Sequence, residues 1–208
     1  MKKERDYIQD IADIRSMMER SSKFLSLSGW AGIMAGMYAL VGAYIAYKVF
    51  HFNPDQIFEN TSISAGSSTG LGMVIILALI ILALAIGTAI VLSSKKAQKR
   101  NEKVWSATSK RLLTSMAVPL VAGGVLILIL LSKGLIGLVA PLTLLFYGLA
   151  LYNASKFTYD EVRSLGMIQI GLGLIGSHFT SYGLFLWAVG FGLVHIAYGI
   201  YMHINYER

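Results

Sequence analysis

The sequence predicts an all-α polytopic membrane protein: six transmembrane helices as three antiparallel hairpins, with both termini cytoplasmic. Three observations predict it. Long apolar stretches from Leu25 onward carry no Asp, Glu, Lys or Arg, and the charges sit between them. The 208 residues are 55% hydrophobic and only 14% charged, with a mean hydropathy of +0.62. The basic residues also fall on one side of the alternating spans. Continuously apolar runs favour helices over a barrel, and only these two structures satisfy their backbone hydrogen bonds in lipid.

The first 24 residues are charged throughout and hold no short apolar core, so no cleavable leader is expected. Residues 1–24 read instead as a cytoplasmic amphipathic helix. Tyr7, Ile11, Ile14, Met18, Ser21 and Leu25 repeat at helical spacing along one stripe. Charges of both signs cover the rest, and Glu19 and Lys23 are spaced for an ion pair. This stripe, through Tyr7, Ile11, Ile14 and Met18, is the candidate surface for a cytoplasmic protein partner; docking on the protein's own loops is the alternative.

The transmembrane domain is expected over residues 25–204, with spans at about 25–50, 70–92, 111–131, 135–152, 164–179 and 182–204. A bilayer core about 30 Å thick needs about 20 apolar residues per helix. The first span carries Ser28, Gly32 and Gly36 at four-residue spacing, a face for close helix contact within the bundle or along a homodimer seam. The third and fourth hold Pro119 and Pro141, each expected to kink its helix. The fifth is short, about 15 residues or roughly 22 Å, with Gly166, Gly173 and Gly176 on one side. The sixth carries Gly192 and Gly199.

Orientation follows from Lys and Arg. Of the 18 basic residues, only Lys48 and Lys133 fall on the outer side of this scheme. The positive-inside rule then places both termini in the cytoplasm, and a bacterial cytoplasmic (inner) membrane is the expected location. The basic loop 93–110 lies on that inner face. Its Lys95, Lys96, Lys99, Arg100, Lys103 and Trp105 read as contacts to anionic lipid headgroups. The net charge of +7 is thereby explained without nucleic acid, and none is expected.

The hairpins look related. Glycines Gly87, Gly148 and Gly199 recur near the inner end of each returning helix, and two follow tyrosine, as Tyr147-Gly148 and Tyr198-Gly199. Gly32–Gly42 also aligns with Gly166–Gly176. With these glycine-spaced hairpins, the region from residue 25 onward resembles the HdeD-like small bacterial six-helix membrane proteins. The closing stretch Gly183–Arg208 (GLFLWAVGFGLVHIAYGIYMHINYER) is similar to the end of uncharacterised membrane proteins from the Bacteroidetes. The resemblance implies a link to acid stress, and it implies no catalytic residues. The charged N-terminal extension and the basic second loop go beyond that pattern.

Little in the chain looks like chemistry. With no cysteine, disulfides, iron–sulfur clusters and thiolate metal sites are excluded. His195 is the one ionisable residue deep in a span, sharing a face with Gly192, Gly199 and His203. Gln169 lies at similar depth in the fifth span, so a His195–Gln169 hydrogen bond is expected. The bland version is a helix lock; the sharper one is a ligand or proton-sensing site. His51 and His178 near Asp55 and Glu59 match no metal motif, and one mid-membrane histidine is too few for bis-histidine haem. No cofactor is expected.

Two motif matches are rejected. Gly171–Gly176 fits a dinucleotide fingerprint but lies inside an apolar helix. Gly66–Gly70 (GSSTG) fits a nucleophile elbow around Ser68 without a strand before it. The expectation is therefore a non-enzymatic membrane protein with a structural, stress-response or regulatory role. A channel or transporter component for a small solute or ion is the alternative, and a homo-oligomer is a further expectation.

Overall fold

The computed structural model describes residues 27–51, 65–99 and 105–207. The N-terminal stripe (Tyr7, Ile11, Ile14, Met18), Arg100 and Lys103 lie outside these residues. Among the described residues the chain is all-helical. Six helices follow in order: α1 Gly29–Lys48, α2 Ala65–Lys99, α3 Ala107–Ser132, α4 Val139–Ala154 and α5 Glu161–His178; α6 runs as Gly183–Trp187, a π-helical stretch Ala188–Val194 and His195–Tyr206.

Five of these helical segments are long and apolar enough to cross a membrane. Helix α5 is not among the five. At 18 residues, about 27 Å long, it has the length. Glu161, Arg163, Gln169 and Ser177 dilute its apolar character. It starts three residues earlier than the apolar pattern predicts because the polar residues 161–163 still form helix.

Local chemistry sets the other boundaries. Ser106 opens α3 with a capping box. Its hydroxyl accepts from the Ser109 N–H at 3.1 Å, and the Ser106 N–H reaches Ser109 Oγ at 3.5 Å. Gly134, at φ +73°, closes the same helix in the left-handed conformation. The N–H groups of Lys133, Gly134 and Leu135 there cap the last carbonyls. Hydroxyls along the spans bond back to carbonyls of their own helices: Thr143 to Ala140, Ser177 to Gly173 and Ser132 to Ile129. They therefore enter lipid already satisfied.

Two proline expectations separate here. Pro119 lies inside α3. Pro141 is the third residue of α4, where a missing N–H costs nothing in the helix ladder. It does not interrupt that helix, and its ring packs beside Gly176 and Gly183.

The helices pack as a row. Helix α2 lies on α1, α1 on α6, α6 on α5 and α4, α5 on α4, and α3 on α4. Backbone-to-backbone contact dominates two of these seams. A Cβ added at Gly29 would fall 2.5 Å from the Gly199 carbonyl oxygen, and one at Gly36 would fall 2.6 Å from that of Gly192. Across α4 and α5, a Cβ at Gly166 would fall 2.8 Å from the Gly148 oxygen, and one at Gly173 would fall 2.8 Å from that of Pro141. Ser28 precedes α1 with no side-chain cap bond. The small face of α1 at Gly32 and Gly36 is thus turned to α6 of its own chain, not to a dimer partner.

The internal repeat takes a register different from the expected one. Gly29, not Gly32, occupies the place of Gly166, and Gly36 occupies that of Gly173. The slip is three residues, about one turn, which glycine spacings of three and four cannot tell apart. Gly87, expected to match Gly148 and Gly199, has nothing within 4 Å of an added Cβ.

Candidate functional site

A polar cluster sits where α4, α5 and α6 meet. Helix α6 supplies His195 and the carbonyl of Gly190, α5 supplies Gln169, and α4 supplies Tyr147. Gln169 and His195 are both buried. Glycine at 190 is what admits them. A Cβ there would fall 2.6 Å from Gln169 Oε1 and 2.5 Å from Leu144 Cδ2.

Hydrogen-bond logic fixes the histidine tautomer. His195 Nδ1 lies 2.9 Å from the Gly190 oxygen, which can only accept, so Nδ1 carries the proton. Nε2 is then an acceptor and receives the Tyr147 O–H at 3.0 Å. Gln169 Nε2 donates to the same Gly190 oxygen at 2.7 Å. His195 and Gln169 are therefore brought together, with Nε2 of Gln169 3.4 Å from Nδ1. Both are donors at that contact, so the expected bond between them is replaced by a shared bond to Gly190. Among the described residues, two buried polar atoms, Gln169 Oε1 and the Tyr198 hydroxyl, have no hydrogen-bond partner.

The π-helical stretch positions this cluster. Ala188–Val194 winds more widely than an α-helix. The two halves of α6 are rephased as a result. Gly192 and Gly199 face α1, while the His195 side chain turns to α4 and α5. The expectation that His195 shares a face with Gly192, Gly199 and His203 is corrected: its ring reaches Tyr147 and Gln169, whereas Gly192, Gly199 and His203 meet α1. An aromatic row lines the same side: Trp187 meets Phe191 at 5.1 Å, and Phe191 stacks on the His195 ring at 5.6 Å.

A second polar cluster closes the end of the bundle where α1 begins and α6 ends. Glu207 accepts the Gly29 N–H at 2.9 Å, capping α1 from the far end of the chain. The same carboxylate takes Lys96 Nζ at 3.0 Å and His203 Nδ1 at 2.7 Å. Burial raises the Glu207 pKa, but the bonds from His203, Gly29 and Lys96 outweigh it and hold the group at about 2. Lys96, expected at lipid headgroups, points inward to this carboxylate and to the Leu27 oxygen. Lys95 and Lys99 stay exposed on the last turns of α2. Trp105 is exposed, with Lys110 over its ring at 5.9 Å. Residues 65–70 are helical, so GSSTG is part of α2 and not a strand-to-helix elbow.

Sequence reasoning missed Tyr147, the Gly190 carbonyl and Glu207. Tyr147 had a signal, as the residue preceding one of the repeated glycines. The fold and spans are those of a helical, multi-pass membrane protein. No protein-family model, curated protein or solved structure matches the chain.

Proposed function

We propose that this chain is a six-span protein of a bacterial cytoplasmic membrane that works without catalysis, in a structural, stress-response or regulatory role. It acts through its packed helices and its cytoplasmic surface. The observation that carries this reading is the use of His195. Both of its ring nitrogens are engaged by groups of the same bundle, which makes the cluster a lock between helices. The similarity to HdeD-like proteins points in the same direction, toward stress response. Lys95, Lys99 and Trp105 on the inner face supply contacts to lipid headgroups.

Topology is part of the proposal. Both termini and the 93–110 loop face the cytoplasm, and α5 crosses the membrane shielded by α4 and α6. Because the chain is free of cysteine, one introduced thiol reports its side. Ser106→Cys should react with an impermeant maleimide only in opened cells, and Lys133→Cys in intact ones. The reverse pattern rejects the topology.

Transport is the second reading, favoured by the unpartnered Gln169 Oε1 within the histidine cluster. Solute or ion flux in proteoliposomes that is lost in His195→Ala would establish it over the first. For the first reading, a detergent pull-down with the native chain should recover a cytoplasmic partner, and deletion of residues 1–23 should abolish recovery while membrane insertion persists.

A further inference from the structure

Two seams of this bundle are one crossing made twice. Gly199 of α6 meets Gly29 and Ile33 of α1; Gly148 of α4 meets Gly166 and Ile170 of α5. An added Cβ would fall 2.6 Å from the facing glycine oxygen in the first and 2.7 Å in the second, and 2.7 Å from the isoleucine nitrogen in both. The match continues two turns on, where Gly36 meets Gly192 and Ile196, and Gly173 meets Pro141 and Leu145. Each crossing joins the first helix of one hairpin to the second helix of another, antiparallel. Only α3, a first helix, and α2, a second helix, are left over. They stand at the two ends of the packed row, and among the described residues no seam joins them.

Both leftover helices carry the parts. Helix α3 has Ala117, Val121 and Gly124 at the spacing of Gly29, Ile33, Gly36 and of Gly166, Ile170, Gly173. Its rotation agrees as well. Gly123, one residue before Gly124, faces Phe146 of its hairpin partner α4. Leu172, one residue before Gly173, likewise reaches its hairpin partner α6 at Gly190. Helix α2 carries Gly87, with Leu84 and Val91 on the same side. Ile80 stands where α4 has Pro141 and α6 has Gly192, so the outer part of such a seam is wider. Among the described residues, nothing lies within 4 Å of a Cβ added at Gly87 or Gly124, and Val121 is 64% exposed.

We propose that a second copy of this chain makes the third crossing: α2 of each copy packs on α3 of the other, Gly87 against Ala117, Val121 and Gly124. The pairing continues the row of seams already present. A two-fold axis along the membrane normal satisfies both contacts at once and keeps the copies in one orientation, so the dimer is closed. Close glycine approach supplies the packing that lipid does not otherwise reward. The inference rests on the membrane reading above.

The test uses the full chain in native membranes. Gly87→Cys is placed in a copy with one tag and Val121→Cys in a copy with another. Mild oxidation should give a disulfide-linked species carrying both tags. Leu82→Cys, exposed about 140° around α2 from Gly87, should give little of it. Adding Gly124→Leu to the Val121→Cys copy should abolish most of the product, because the side chain fills the groove and its Cβ meets nothing within 4 Å among the described residues. Absence of the two-tag species overturns the proposal, as does equal yield from Leu82→Cys. So does a disulfide that forms only within a chain carrying both cysteines. Fractionating the same samples separates two failures: a chain in the soluble fraction defeats the membrane reading, and a membrane-embedded chain without product defeats the dimer alone.

Discussion

Helices α6 and α2 are both long and apolar, yet glycine does opposite things in them. In α6, Gly199 brings the α1 backbone within reach of its own. In α2, Gly87 faces open space. Burial follows the same division. The most apolar stretch of α2 has none of its residues buried, whereas the less apolar stretch around α4 is 39% buried. In water, apolarity drives a segment inward. In hydrocarbon it carries no such preference, and the interior goes to segments with small residues and polar partners. Hence Gln169, His195, Gly148 and Gly199 lie inside, while Leu79, Leu82 and Ile86 lie outside.

The sharpest way to break this comparison is to place the same side chain at the two kinds of glycine. Gly199→Val or Gly148→Val sets methyl groups against backbone atoms that cannot yield. A loss of about 2–3 kcal/mol is expected, at the upper end for overpacking, read by unfolding in detergent micelles. His195→Ala comes next. It leaves the Tyr147 hydroxyl without its acceptor and opens a void among Phe191, Gln169 and Tyr147, for about 2 kcal/mol. Tyr147→Phe removes only one bond and should cost about 1 kcal/mol.

Acid should reveal a fourth effect, at the Glu207 end of the bundle. The Glu207 carboxyl titrates near 4.5 when unperturbed and at about 2 in the fold. Its anchoring of Gly29 and Lys96 is complete above pH 4.5 and is lost as the pH falls toward 2. Glu207→Gln should flatten that part of the stability–pH curve. The smallest effect belongs to Gly87→Val in the isolated protomer, within about 0.5 kcal/mol of the native chain. A large loss there in dilute micelles would mean that α2 is packed where it is here exposed.

The helices were legible in the sequence because charge exclusion and apolar length act locally. The start of α3 was not: the apolar pattern begins at 111, whereas the Ser106 cap opens the helix at Ala107. Nor was the packing order of the helices. That α1 adjoins α6 depends on Gly29 and Gly199 meeting across nearly the whole chain, and glycine spacing alone left the register open by a turn. His195 and Gln169 stood out as polar residues at matching depth, but the Gly190 carbonyl between them is backbone and leaves no mark in composition. Glu207 looked like an ordinary terminal charge. Its role needed the proximity of Gly29 and Lys96, which only the tertiary fold supplies.

The wide turn at Ala188–Val194 lets one helix serve two neighbours. Just beyond it His195 reaches Tyr147 of α4 and Gln169 of α5, while Gly192 and Gly199 stay engaged with α1. Deleting one residue there would restore ordinary winding and swing the downstream half by about 100°. His195 and Gly199 both lie in that half, so the histidine bonds and the Gly199 seam would be displaced together. A one-residue change of length at this point is thus felt at both α1 and the α4–α5 side, although the deleted residue need touch neither.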